Sequence, residues 1–471
     1  MQETHTRALR TGGGLFAVAL AIVIATRPPF AGLSPAAMRA LGIVSWAVIN
    51  WILGTLDDYV VALIMSVSFV VFGVVPFPTA FSVFSTTTWW LVVGVIGMGV
   101  AVEQSGLLTR FALRTLLALP NTFLGQCAGL VVSGIILGPS LASVTGKAAI
   151  ASRFVYGMSR ALDLPDRSKH STGLFMSMYL GYALSAPLYM TAGVCGFIVL
   201  GLLPPQYRDI TWGKWLVASV PIVLPMLALV FLAILKAYDP GSGFRASKDL
   251  LRSQLASLEK PGRQEFITAG VLMATLLVWV TEPIHHVDSA IPAVLGLSVL
   301  IIARVLDRQA FDRLPWATLI FLGLILNLGT LLPKTGLDTW IGSTLETVLA
   351  PVAANPTTFL FAVGLLVVLL RFVMVSYNAL TTLLMVSLMP LGISTGIHPW
   401  VLGTVIHVVG QAVFILPYQN PIYLIAYHGS RGAMNTHRQA ALTSAVAIAG
   451  CLIGIIVAVM VWSGMGLVRP R

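Results

Sequence analysis

Charge is scarce in this chain. Only 10% of its 471 residues are Asp, Glu, Lys or Arg, against roughly 25% in an ordinary soluble domain, so a water-facing globular protein is excluded. Cysteine is nearly absent too. Cys127, Cys195 and Cys451 lie in apolar segments without metal-ligand spacing, which excludes a disulfide framework and leaves them as packing residues. No Walker loop, HExxH, GxSxG or pair of acids deep in an apolar run is present. Without a nucleotide loop the chain cannot itself hydrolyse ATP, and any work it does draws on gradients. The net charge of +11 is spread over short connections with no aromatic-basic face, which argues against nucleic acid.

What fills the chain is hydrophobicity: 57% apolar residues and a mean hydropathy of +0.91. Apolar runs of about 18 residues or more, long enough to cross about 30 Å of hydrocarbon, recur from end to end. The expected fold is an all-α polytopic membrane protein. Eleven spans are placed near 13–26, 39–54, 58–77, 88–103, 172–203, 214–237, 264–283, 287–304, 316–332, 398–427 and 438–466. Leu15 to Thr26 is expected to be a first span and not a cleaved leader.

The chain repeats itself. Ser143-Val144-Thr145 and Ser376-Tyr377-Asn378 stand 233 residues apart; Pro187 and Pro421 stand 234 apart; Ser105-Gly106-Leu107 and Thr335-Gly336-Leu337 stand 230 apart. Three anchors in one order at nearly one offset indicate an internal duplication, and its key anchors interrupt apolar segments. Duplicated halves broken at matching places point to a transporter's binding site.

The stretches 123–160 and 357–391, each broken near the middle, read as re-entrant hairpins. With the N-terminus cytoplasmic, 19 Lys and Arg fall inside and 7 outside, with Lys147 and Arg371 within the hairpins, as the positive-inside rule requires. Crossing once instead would turn the basic stretch between Lys236 and Arg263 outward. The organisation is then scaffold helices at 1–84, a first repeat at 85–237, a cytoplasmic linker at 238–263, scaffold helices at 264–315 and a second, inverted repeat at 316–466. Residues 246–259 form either a solvated connector or a surface helix.

Freed backbone groups in such breaks must face protein or a watery cavity, and the helix that restarts after each tip favours an anion at its N-terminus. Two tips converging from opposite faces suit a doubly charged, elongated anion. Candidate substrate-binding residues are Ser143, Thr145, Gly146 and Lys147 in the first tip, Ser376, Tyr377, Asn378 and Thr381 in the second, and Pro187, Gln419, Asn420 and Pro421 in the two later breaks. Lys147 reads either as a carboxylate contact or fixed charge in place of a coupling ion, or as a side chain snorkelling to the cytoplasmic surface. Arg371 reads as an anion contact or an ion-pair member. Asp57-Asp58 reads as the end of a helix, and His285-His286 as a surface loop.

The tip sequences resemble those of the divalent anion/sodium symporter family, whose signature is a Ser-Asn-Thr triplet at each of two hairpin tips. The resemblance covers roughly 85–466. It implies an elevator-type secondary transporter of di- or tricarboxylates or sulfate, a homodimer, with no cofactor beyond Na+ as a coupling ion near Ser143 and Ser376. It also implies substrate contacts at Ser143, Thr145, Ser376 and Asn378. Val144 and Tyr377 replace the family asparagines, and a valine side chain has no oxygen to offer sodium. Lys147 is similar in placement to the basic residue after the triplet in exchanger members, which favours exchange; sodium and proton coupling stay open. The rival readings are a carrier of another oxyanion or short organic acid, and a polytopic membrane enzyme.

Overall fold

The computed structural model describes all residues except 1, 31, 141–142, 240, 242–247, 259, 354 and 470–471, and side chains for all of these but 2–11, 250, 346, 348–350 and 353. Part of the linker expected at 238–263 therefore lies outside the described residues, as do the side chains of Arg7, Arg10, Arg245 and Arg471 used in the charge count. The chain is helical, and no multi-residue strand occurs among the described residues.

Three helices open the chain: α1 (Gln2–Thr26), α2 (Pro35–Leu53) and α3 (Asp58–Val71). The first repeat follows as α4 (Thr87–Ser105), α5 (Leu107–Ala118), α6 (Phe123–Leu137), α7 (Val144–Ala161), α8 (Lys169–Tyr179), α9 (Val194–Leu202) and α10 (Trp212–Tyr238). The short α11 (Lys248–Ser257), then α12 (Arg263–Val280) and α13 (Ala290–Ile302), lead to the second repeat. It comprises α14 (Trp316–Thr335), α15 (Leu337–Ala353), α16 (Pro356–Leu370), α17 (Tyr377–Ser394), α18 (Pro399–Ala412), α19 (Pro421–Gly429) and α20 (His437–Gly464).

Local chemistry sets the boundaries. Ser34, Thr86, Thr122, Ser143, Ser168, Thr211, Ser376 and Thr436 each cap a helix by accepting a hydrogen bond from a first-turn N–H, so donors that would otherwise be orphaned are satisfied without water. The two anchor glycines behave alike. Gly106 ends α4 and Gly336 ends α14, both at φ 73°, a left-handed turn that side chains disfavour.

Among the described residues, eight helices are long and apolar enough to span a membrane. Six match expected spans, and two, Phe123–Ser140 and Tyr377–Ser394, are arms of the expected hairpins. The spans expected near 13–26, 58–77 and 287–304 coincide with shorter apolar helices, and those near 172–203 and 398–427 are each split in two. The prolines do not mark one structural position: Pro421 starts α19, whereas Pro187 sits in a 3-10 turn well before α9. The first break is longer, so a spacing in sequence does not carry over to the helix register.

Two helices had no counterpart in the span assignment. α5 and α15 carry charge, and each follows an anchor glycine. Arg110 of α5 makes a buried salt bridge of 2.7 Å to Glu265 of α12. In the stretch 246–259, read as a solvated connector or a surface helix, the described residues form α11, packed on α5 with Leu251 buried.

Packing follows the duplication. Both arms of the first helix pair, α6 and α7, lie against α8; both arms of the second, α16 and α17, lie against α18. The second arms cross over, α7 packing on α19 and α17 on α9. α10 and α20 run along one another through small residues that bring the backbones together. A Cβ at Gly454 would lie 2.4 Å from the Ile222 carbonyl oxygen, and one at Gly450 2.7 Å from Met226 Cα. Gly454→Leu is expected to cost roughly 1–3 kcal/mol by overpacking, read as a lowered Tm in detergent, whereas Gly464→Ala, with open space around it, leaves Tm unchanged.

Candidate functional site

The site begins with two caps. α7 and α17 are both 18 residues long and start 233 residues apart. Ser143 Oγ accepts from the Gly146 N–H at 3.0 Å and Ser376 Oγ from the Ala379 N–H at 3.3 Å. Ser143 and Thr145 hydroxyls are 2.9 Å apart.

Both tips open on one cavity of about 750 Å³. It brings together Ser143 and Thr145, Ser376, Tyr377 and Asn378, and Asn420 and Pro421, all singled out in the sequence. Gly193, Val194 and Cys195 line it from the first break, and His407 and Gln411 from α18. Gly146 lines a second pocket of about 380 Å³ that shares Ser143 and Thr145 and adds Glu103 and Arg313.

Other candidates lie elsewhere or are already engaged. Thr381 is buried off the cavity and donates to the Tyr377 carbonyl at 3.0 Å, as membrane-helix threonines commonly do. The Pro187 carbonyl accepts from Trp215 Nε1 at 3.2 Å. Gln419 is buried, its Oε1 accepting from the Leu416 N–H at 2.8 Å. Asn420 caps α19 through Oδ1 and donates from Nδ2 to the Gln411 carbonyl at 3.2 Å. The side-chain hydrogen bonds of Asn420 therefore hold the break together. Asn378 Oδ1 accepts from the Cys195 thiol at 3.2 Å, joining the second tip to the first half.

Lys147 neither snorkels nor faces the cavity. It is fully buried and its ammonium donates to the carbonyls of Gly138 at 3.0 Å and Ala192 at 3.1 Å. The first lies before the tip and the second in the α8–α9 break, so one cation satisfies backbone freed at both. Arg371 takes up carbonyls at the tip alone in the other half. Its Nη1 donates to the carbonyls of Met374 at 3.0 Å and Val375 at 2.8 Å, and its guanidinium lies 5.6 Å from the Tyr377 ring centroid. Tyr377 in turn stacks on His407 and donates to its backbone oxygen at 2.5 Å.

Three acidic residues line these pockets that the sequence did not mark as site residues. Asp57 and Asp58 do not end a helix; Asp58 begins α3, both line the cavity, and Asp58 Oδ2 accepts from the Ser376 hydroxyl at 2.7 Å. Glu103, near the end of α4, reaches the first tip. No spacing rule flags them, because each partner lies far off in sequence.

Broken helix pairs from two repeats, gathered on one cavity inside a polytopic helical body, define a membrane transport protein. The sodium:sulfate symporter transmembrane region model matches residues 11–468, and the chain belongs to that family. A membrane protein of Cupriavidus necator is 28% identical over 397 residues, covering 79% of this chain and 77% of that protein. Dicarboxylate transporter 2, chloroplastic, of Spinacia oleracea is 27% identical, covering 67% and 57%. The L-tartrate/succinate antiporter of Escherichia coli is 24% identical, covering 65% and 64%. In fold, the chain resembles the Alcanivorax borkumensis YdaH transporter, with a TM-score of 0.57 at 14% identity, covering 99% of this chain and 100% of that one.

Lys147→Met removes the donor to two buried carbonyls, so a loss of roughly 1–3 kcal/mol is expected. Thermal unfolding of the purified chain in detergent checks it, with Lys169→Met, at the start of α8, as the control.

Proposed function

We propose that the chain is a secondary transporter of dicarboxylates that works by exchange. The observation that carries the reading is the convergence of two capped helix N-termini, at Ser143 and Ser376, on one cavity. Their N–H groups and positive dipole ends favour negative charge, and two of them suit an anion charged at both ends. Ser143, Thr145, Ser376 and Asn378 supply the polar contacts, and the tips move with substrate past α1–α4 and α12–α13 in an elevator motion. The protein sits in a cell membrane with its N-terminus cytoplasmic and its two helix pairs inserted from opposite faces, as a homodimer.

Sodium coupling does not suit the described residues of the two breaks. Carbonyls exposed at helix breaks are the natural ligands of a coupling sodium, yet those of Gly138, Ala192, Met374 and Val375 are held by Lys147 and Arg371. Val144 offers no side-chain oxygen. Fixed cations that never leave supply no gradient to draw on, so transport depends on a counter-substrate; no step is assigned to sodium.

Proteoliposomes test this with labelled succinate, malate, citrate and sulfate. Uptake is expected only with dicarboxylate inside, and at the same rate in sodium and choline media. Accumulation into empty vesicles that requires sodium would overturn exchange. Asn378→Ala is expected to lower succinate uptake at least tenfold with unchanged expression and Tm.

A further inference from the structure

A carboxylate already lies at each tip. Asp58 Oδ2 accepts from the hydroxyl of Ser376 at 2.7 Å, on the hydroxyl that caps α17. Glu103 lies at the first turn of α7, where a Cβ on residue 146 would come within 2.0 Å of its Oε1. Only glycine there lets the acid approach so closely. The two acids come from α3 and α4, outside the helix pairs whose tips they touch; Asp58 lines the cavity with Ser143 and Ser376, and Glu103 lines the adjoining pocket with Ser143. Among the described residues neither has an ion-pair partner within 4.0 Å, although Arg313 lines the pocket beside Glu103.

An anion-attracting helix start and a capping hydroxyl suit a carboxylate, and a substrate carboxylate seeks the same Ser376 hydroxyl that Asp58 holds. We propose that Asp58 and Glu103 are internal competitors of the substrate, one at each tip. In the empty carrier they tie the moving tips to the fixed helices. A dianion displaces both and frees the tips; a monoanion displaces one and leaves the other latched. This rests on the exchange reading above and supplies its cause, since an empty carrier that stays latched cannot return alone.

The test uses the full-length protein with Asp58→Ala, Glu103→Ala and the double variant. Calorimetric titration of detergent-purified protein with succinate comes first. Removing a competitor held by a charge-assisted hydrogen bond is expected to tighten binding roughly tenfold or more for Asp58→Ala; equal or weaker binding overturns the proposal. In proteoliposomes loaded with labelled succinate, the double variant is expected to release it into substrate-free buffer at least tenfold faster than wild type, with Asp58→Glu restoring the latch. Net release at the wild-type floor, with exchange retained, also overturns it. Should wild type itself leak succinate without counter-substrate, the exchange reading fails, and the calorimetry still decides whether Asp58 and substrate compete. A variant that does not fold is replaced by Asp58→Asn, which keeps the shape and removes the charge.

Discussion

A polypeptide that stops being helical inside an apolar medium strands N–H and C=O groups that no water will satisfy. The polar groups at the breaks answer that constraint. Ser143, Ser376 and Asn420 cap the helices that restart, Lys147 and Arg371 take up loose carbonyls, and Trp215 serves the Pro187 carbonyl. What remains after this internal settlement is a small set of groups facing the cavity. The site is the residue of a packing problem, and its taste for anions follows from donors outnumbering acceptors at helix starts.

The duplication fixes the skeleton and leaves the chemistry free to diverge. At an offset of 233, Lys147 corresponds to Leu380 and Arg371 to Gly138. Each half therefore carries a cation buried beside its tip, after it in the first and before it in the second. Lys147 reaches back to the carbonyl of Gly138, the very position from which Arg371 acts in the other half. The same service is rendered from two different places, so the need belongs to the backbone and not to any one residue.

Much of the scaffold was legible because it is written in local terms. Apolar run lengths gave the spans, and Gly106 and Gly336, Ser143 and Ser376 gave the breaks, each by a rule acting over a few residues. α5 and α15 stayed hidden because charged and hydroxyl residues interrupt their apolar runs. Pro187 and Pro421 looked equivalent because sequence spacing ignores the extra turn in the first break. Of the site, the tips were readable and their surroundings were not. Gln419 resembled a ligand until the structure gave its oxygen an N–H to serve, and Asp58 resembled a helix end until its carboxylate met a hydroxyl 318 positions away. Long-range partners leave no trace in composition or period.

The crossing of partners between halves governs how the protein is made. α9 leaves the ribosome long before α17, on which it packs, and roughly 190 residues separate the end of one from the end of the other. At about 5–20 residues per second, the nascent chain waits on the order of ten seconds or more with α9 uncovered in the bilayer. A membrane chaperone or the insertion machinery itself has that interval to shield it, and truncated chains ending in the linker would display the same bare surface permanently to quality-control proteases.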